Sequence, residues 1–129
     1  MKKSFLIIFI FLIISCDSNK SSKKLSTIEY SEIQIAEIRK SLYDTLSVDL
    51  NRFHIARIVN IINSSEKAEL LKAYPKFWVF IKLKNNSILA YKIIDGKIGE
   101  NDLYVDVEDK DYFKKLYEKN RKSKSRITK

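Results

Sequence analysis

Apolar residues recur along the chain with two periods, one near two residues and one near 3.6. Ile28 and Tyr30, then Ile33 and Ile35, alternate with one slip, while Ile35, Ile38, Leu42 and Leu46 also fall on a helical stripe. A strand near Ile28 to Ile38 is the favoured reading. Asp49 or Asn51 can cap a helix, and Phe53, Ile55, Ile58, Val59, Ile61 and Ile62 carry it to about Asn63 with Arg52, Arg57 and Asn60 outward. Ser65 to Ala73 reads as a second short helix before Tyr74-Pro75. Phe77 to Leu83, rich in aromatic and β-branched residues, predicts a strand. Asn85-Asn86 suits a two-residue turn because Asn tolerates positive φ, and Ile88 to Ile94 returns as the partner strand. Asp95-Gly96 marks another turn. Leu103, Val105 and Val107 alternate as a third strand after it. Asp109 or Asp111 then caps a last helix with Tyr112, Phe113, Leu116 and Tyr117 inward. The order β-α-β-β-β-α predicts an α+β domain, with a small, mostly antiparallel sheet of about four strands and helices packed on it.

The hairpin pattern carries a functional expectation. With a two-residue loop, Leu83 faces Ile88, Ile81 faces Ala90 and Val79 faces Lys92. On the other side Phe80 pairs with Tyr91 and Trp78 with Ile93. Both faces are then apolar toward the far end, whereas a sheet covered on one side should show one polar face. Either helices cover both faces, or Trp78, Phe80, Tyr91 and Ile93 form an exposed patch for a partner.

The start of the chain follows a different rule. Met1-Lys2-Lys3 is a positive segment, Phe5 to Ile14 an unbroken apolar run, and Ser15 a small residue before Cys16. These are the parts of a secretory signal. A ten-residue run spans about 15 Å as a helix, too short for a membrane span of roughly 20 residues. Ile13-Ile14-Ser15-Cys16 resembles the lipobox of bacterial lipoproteins, with Ile13 in place of the usual Leu and a bulkier Ile14. The resemblance covers the first sixteen or so residues. It implies cleavage between Ser15 and Cys16, diacylglycerol on the Cys16 sulfur, and often a further palmitate-like chain on the new amino terminus. The chain would then be lipid-anchored in the cell membrane or outer membrane and face the periplasm or exterior. Two or three acyl chains anchor stably where one is marginal. The alternative is an ordinary signal peptide with Cys16 there by chance. Asp17 directly after the Cys resembles an inner-membrane retention signal of some bacteria.

The expected organisation is therefore a signal peptide over residues 1–15, a lipidated Cys with a polar tether (DSNKSSKK) over 16–25, one α+β domain over 26–118, and a basic, mobile tail over 119–129. Composition changes this picture in one respect. The formal charge of +9 belongs to the ends: Leu25 to Glu118 holds 14 basic and 15 acidic residues. A nucleic-acid-binding domain should be basic on its folded face, so no nucleic-acid partner is expected. The single Cys allows no internal disulfide.

Candidate chemistry is sparse, and no catalytic residue, metal site or cofactor is expected. His54 is the only histidine and no second Cys exists, which excludes a His/Cys zinc site; a triad through His54 lacks a nucleophile motif. Asp102, Asp106, Glu108, Asp109 and Asp111 do not fit an EF-hand spacing. Capping and solvation account for them, with weak calcium binding as the alternative. Gly96-Lys97-Ile98-Gly99 lacks the frame of a phosphate loop and reads as a turn. Beyond Cys16 the chain looks only loosely like small α+β lipoproteins of unassigned role. The favoured function is a membrane-anchored, non-enzymatic module that binds an envelope protein, as an immunity protein or inhibitor would. A structural or assembly lipoprotein is the first alternative. A carboxylate-dependent enzyme using Glu100, Asp102 and Asp106 is the second, and it requires a cleft around them.

Overall fold

In a computed structural model, residues 25–65 and 67–127 are described. After a 3-10 turn at Tyr30–Glu32 the elements are β1 (Ile33–Arg39), β2 (Leu46–Asp49), α1 (Arg52–Asn63), β3 (Glu69–Leu70), β4 (Phe77–Leu83), β5 (Ile88–Ile94), β6 (Lys97–Glu100), β7 (Leu103–Asp106), α2 (Tyr112–Lys119) and β8 (Ser123–Lys124). The α+β class holds, but the sheet has eight strands in the order β3-β7-β6-β5-β4-β1-β2-β8. Every pairing is antiparallel. The expected count of about four strands and the order β-α-β-β-β-α are therefore corrected. The first strand starts at Ile33 rather than Ile28, because Tyr30–Glu32 turns. Ser65 to Ala73 holds no helix; Glu69 and Leu70 extend the sheet instead.

Both helices pack on one face. Ile55, Ile58, Val59 and Ile62 of α1, with Tyr112, Phe113, Leu116 and Tyr117 of α2, share a core with Ala36, Ile38, Val79, Ile81, Tyr91, Ile93, Ile98 and Val105 from the strands. The helix spacing explains this, since residues three and four apart fall on one stripe. Asn51 caps α1, its Oδ1 accepting from His54 N at 2.9 Å. At the other end Asn63 binds the segment before β1. Its Oδ1 accepts from Ile28 N and its Nδ2 donates to Ile28 O, both at 2.7 Å. Leu25 and Ile28 are buried there, so the fold begins before residue 26.

The β4–β5 hairpin differs from expectation by one residue. Val79 pairs with Tyr91, Phe80 with Ala90 and Trp78 with Lys92. The loop is Lys84-Asn85-Asn86, with Leu83 N donating to Ser87 O at 2.9 Å and Asn86 at φ 72. A three-residue loop ending in a left-handed residue replaces the two-residue turn. A one-residue slip moves a whole strand's side chains to the other face. Tyr91 and Ile93 thus join Val79 and Phe77 under the helices. The two-sided apolar pattern came from the wrong register.

Candidate binding face

The face away from the helices is built in cross-strand rows. Arg39, Trp78, Lys92, Gly99 and Tyr104 are register partners across five strands, and Asp49, Glu37, Phe80 and Ala90 form the next row. Trp78 stacks on Phe80, centroids 6.1 Å apart and planes 16° apart. The Arg39 guanidinium lies 4.4 Å from the Phe80 centroid, and Lys92 Nζ lies 5.9 Å from that of Trp78. Such cation–π contacts contribute about 0.5–2 kcal/mol each, more when desolvated. Tyr104 lies flat over Gly99, where a Cβ would overlap its ring. Phe80 is fully buried, whereas Trp78, Ile35, Ile88, Ala90, Ile94, Lys82 and Lys92 stay partly exposed.

Two charged side chains are buried on this face. Glu37 and Arg39 are 1% and 5% exposed, and Arg39 Nε donates to Glu37 Oε2. The C-terminal segment completes the pair. Ser125 Oγ donates to Glu37 Oε2 at 2.6 Å, and the backbone N–H groups of Arg126 and Ile127 donate to Glu37 Oε1, each at 3.2 Å. Arg39 Nη2 donates to Ser125 Oγ at 2.7 Å and to the Ile127 carbonyl. Arg126 Nε lies 3.2 Å from Asp49 Oδ2, a surface contact. Desolvating two charges costs several kcal/mol, offset only where the remaining lone pairs and protons are bonded. Here the tail supplies those bonds. The expected mobile tail from residue 119 is thus corrected: within it β8 pairs with β2, and Ile127 is 1% exposed.

The patch Trp78, Phe80, Tyr91 and Ile93 does not exist as one surface. Trp78 and Phe80 lie on the outer face, and Tyr91 and Ile93 are buried in the helix-covered core. Glu37, Arg39 and Ile127 escaped the sequence reading. Their signals were an opposite-charge pair two apart on one strand and a lone aliphatic residue in a basic tail. Ser15 and Cys16 lie outside the described residues.

The remaining candidates have local partners. His54 Nδ1 is 2.8 Å from Tyr112 OH, joining α1 to α2; burial, then nearby Arg57, lowers its pKa. Glu100 accepts from Ser26 Oγ at 3.4 Å, Asp106 from Lys97 Nζ at 2.6 Å, and Asp109 from Lys115 Nζ at 3.3 Å. Asp106 and Asp102 line different surface grooves. Gly96, at φ 68, makes the expected turn, but Lys97 to Gly99 continue as β6. Among the described residues no group of three His, Cys, Asp or Glu is set to hold a metal, and no helix is long and apolar enough to cross a membrane. A cleft of about 380 Å³ opens where β4 and β5 meet α2, lined by Phe77, Ile93 and Phe113 together with side chains of both charges, among them Lys40, Lys110, Asp95 and Glu118. No family model matches the chain, and no curated protein or solved structure matches it either.

Proposed function

We propose that the protein is a lipid-anchored module of the cell envelope that binds another envelope protein through the outer face of its sheet. The observation that carries the binding half is Trp78, partly exposed beside Lys92 and braced by the buried Phe80, on a face over which no helix of the described residues packs. Aromatic residues flanked by long cationic side chains supply large contact area with few rotors to freeze, the composition of interface anchors. The anchor half rests on the leader and on Cys16. Residues 16–25, fully extended at about 3.4 Å each, reach about 30 Å. The module therefore works close to the bilayer, where a partner in the same envelope layer meets it at high effective concentration.

Two measurements test the two halves separately. The intact mass of membrane-extracted protein is expected to lack residues 1–15 and to carry acyl chains that a Cys16→Ala variant lacks; an uncut chain overturns export itself. A photo-crosslinking residue placed at Ala90 in living cells is expected to trap one discrete partner. The same residue at Asn60, on the outward side of α1, is expected to trap none. Indistinguishable adducts from both positions would sink the sheet-face reading.

A further inference from the structure

The Glu37–Arg39 pair has the form of a receptor for an extended peptide. Glu37 accepts two successive backbone N–H groups and Arg39 donates to the next backbone carbonyl, so most of the recognition is of main chain. Apart from the surface contact of Arg126 with Asp49, specificity enters at two side chains. The Ser125 hydroxyl sits between Glu37 and Arg39, and the Ile127 side chain is fully enclosed. Both receptor side chains are over nine-tenths buried, and the described hydrogen bonds that satisfy their outer atoms come mainly from residues 125–127.

The occupant holds this site by a short strap. β8 contributes two register pairs with β2, Leu46 with Lys124 and Ser47 with Ser123, followed by Ser125 N donating to Thr45 O at 2.8 Å. Nor does the strap fill the surface it lies on. A groove of about 320 Å³ runs on between Arg39, the Leu42-to-Thr45 loop and the strap itself. Beside it Tyr43 is 92% and Leu46 48% exposed. A sheet edge capped by so short a strand, beside unspent apolar surface, is where strand addition by another chain gains both ladder bonds and side-chain contacts.

We infer that β2 and the Glu37–Arg39 pair form a peptide-binding site for an extended protein segment with a hydroxyl residue two positions before an aliphatic one, and that the chain's own Ser125–Ile127 fills it in cis. The inference rests on the protein-binding reading above and names the segment of the partner that would engage. The partner's segment displaces the tail, pairs with β2 and extends along Tyr43. Tail and partner then compete for one set of bonds, so the apparent affinity for the partner is set by the fraction of molecules with the tail released.

The test uses the mature chain with Cys16→Ser and a fluorescent peptide spanning residues 120–129. The chain shortened to end at Lys122 is expected to bind the peptide saturably, and the full chain about tenfold or more weakly, because its tethered tail competes at high effective concentration. Ile127→Ser in the peptide, or Glu37→Gln in the shortened chain, is expected to weaken binding by about tenfold or more. Should the shortened chain not fold, a full chain carrying a protease site between Asn120 and Arg121 is cut after folding, and the labelled peptide is expected to exchange with the severed tail. A folded shortened chain that ignores the peptide, a cut chain that never exchanges, or equal binding of a scrambled peptide overturns the inference. Peptide exchange without a crosslinked partner at Ala90 would instead retain the site and remove the proposed function.

Discussion

The two faces of the sheet are closed by different physics. The inner face is covered by two amphipathic helices whose Ile, Val, Leu, Phe and Tyr side chains meet those of six strands. That closure is non-directional, roughly proportional to apolar area, at about 25 cal/mol per Å². The outer face is closed over Glu37 and Arg39 by a few residues of tail, through bonds that each need a particular donor in a particular place. The first kind of closure tolerates exchange of one apolar residue for another of similar volume. The second fails when one partner is lost, because what remains is a charge without water. A surface meant to open and close is better built in the second way.

The sharpest way to break the comparison is at the charge pair. Glu37→Ala is expected to cost about 3–5 kcal/mol in urea unfolding, since it strands the Arg39 guanidinium. The double replacement Glu37→Met with Arg39→Leu is expected to recover most of that, landing within about 1 kcal/mol of the parent, because desolvation disappears with the charges. On the inner face Ile58→Ala is expected to cost about 2–5 kcal/mol through lost burial and a cavity. If the double replacement proves as damaging as Glu37→Ala, the outer face is not held by paired charge.

The same division decides what the sequence made legible. The inner face was largely readable: Asn51, one of two cap candidates for α1, the buried Ile55, Ile58, Val59 and Ile62, and Tyr112, Phe113, Leu116 and Tyr117 of α2 follow from spacing and turn chemistry, whereas Phe53, expected on the same stripe, is 70% exposed because it lies in the first turn beyond the core. So did β4 and β5, residue for residue. Their register did not, because Asn85-Asn86 suits a two-residue turn locally, while Asn86 alone takes positive φ in a three-residue loop. The strand β6 was lost between Gly96 and Gly99, which weaken any local strand signal. It forms because it is the middle of a meander, where Gly99 makes room for Tyr104. The two-residue strands β3 and β8 have no period to read. On the outer face Glu37 and Arg39 look like solvent-facing strand residues, and nothing local says that a segment almost ninety residues later will cover them.

Gly99 offers a mid-sized test of the outer face. Gly99→Ala puts a methyl into the Tyr104 ring and is expected to cost about 1–3 kcal/mol by overpacking. Combined with Tyr104→Ala, most of the added penalty should vanish, because the three atoms nearest the new methyl all belong to that ring; a fully additive pair would place the strain in the backbone instead. Tyr91 probes the inner face with the opposite sign. Its hydroxyl is buried with no hydrogen-bond partner among the described residues, and burial, then Glu100, pushes its pKa up. Tyr91→Phe is expected to leave stability unchanged or raise it by about 1 kcal/mol, since the lost group was desolvated without compensation. A clear loss in the melting temperature would mean that the hydroxyl has a partner in solution.

The smallest effect separates the faces by pH. His54, the chain's only histidine, joins the two helices on the inner side through Tyr112. Its pKa is lowered in the folded state, by burial first and by Arg57 second. The unfolded chain therefore binds the proton more readily, and between the lowered value and the ordinary 6.5 it carries more protons than the native state. Stability rises with pH wherever the unfolded state holds more protons, so His54 contributes fully above 6.5 and its contribution falls as pH drops through that window. Acidification should loosen the α1–α2 joint, where a protonated ring faces Arg57, without touching the bonds between Glu37 and the tail by this route. Urea unfolding at a series of pH values is expected to show the slope in the parent and to lose it in His54→Gln. Hydrogen exchange should place the new opening at the helices, whereas protection lost first at Arg126 and Ile127 would show that the outer face, not the inner one, carries the acid sensitivity.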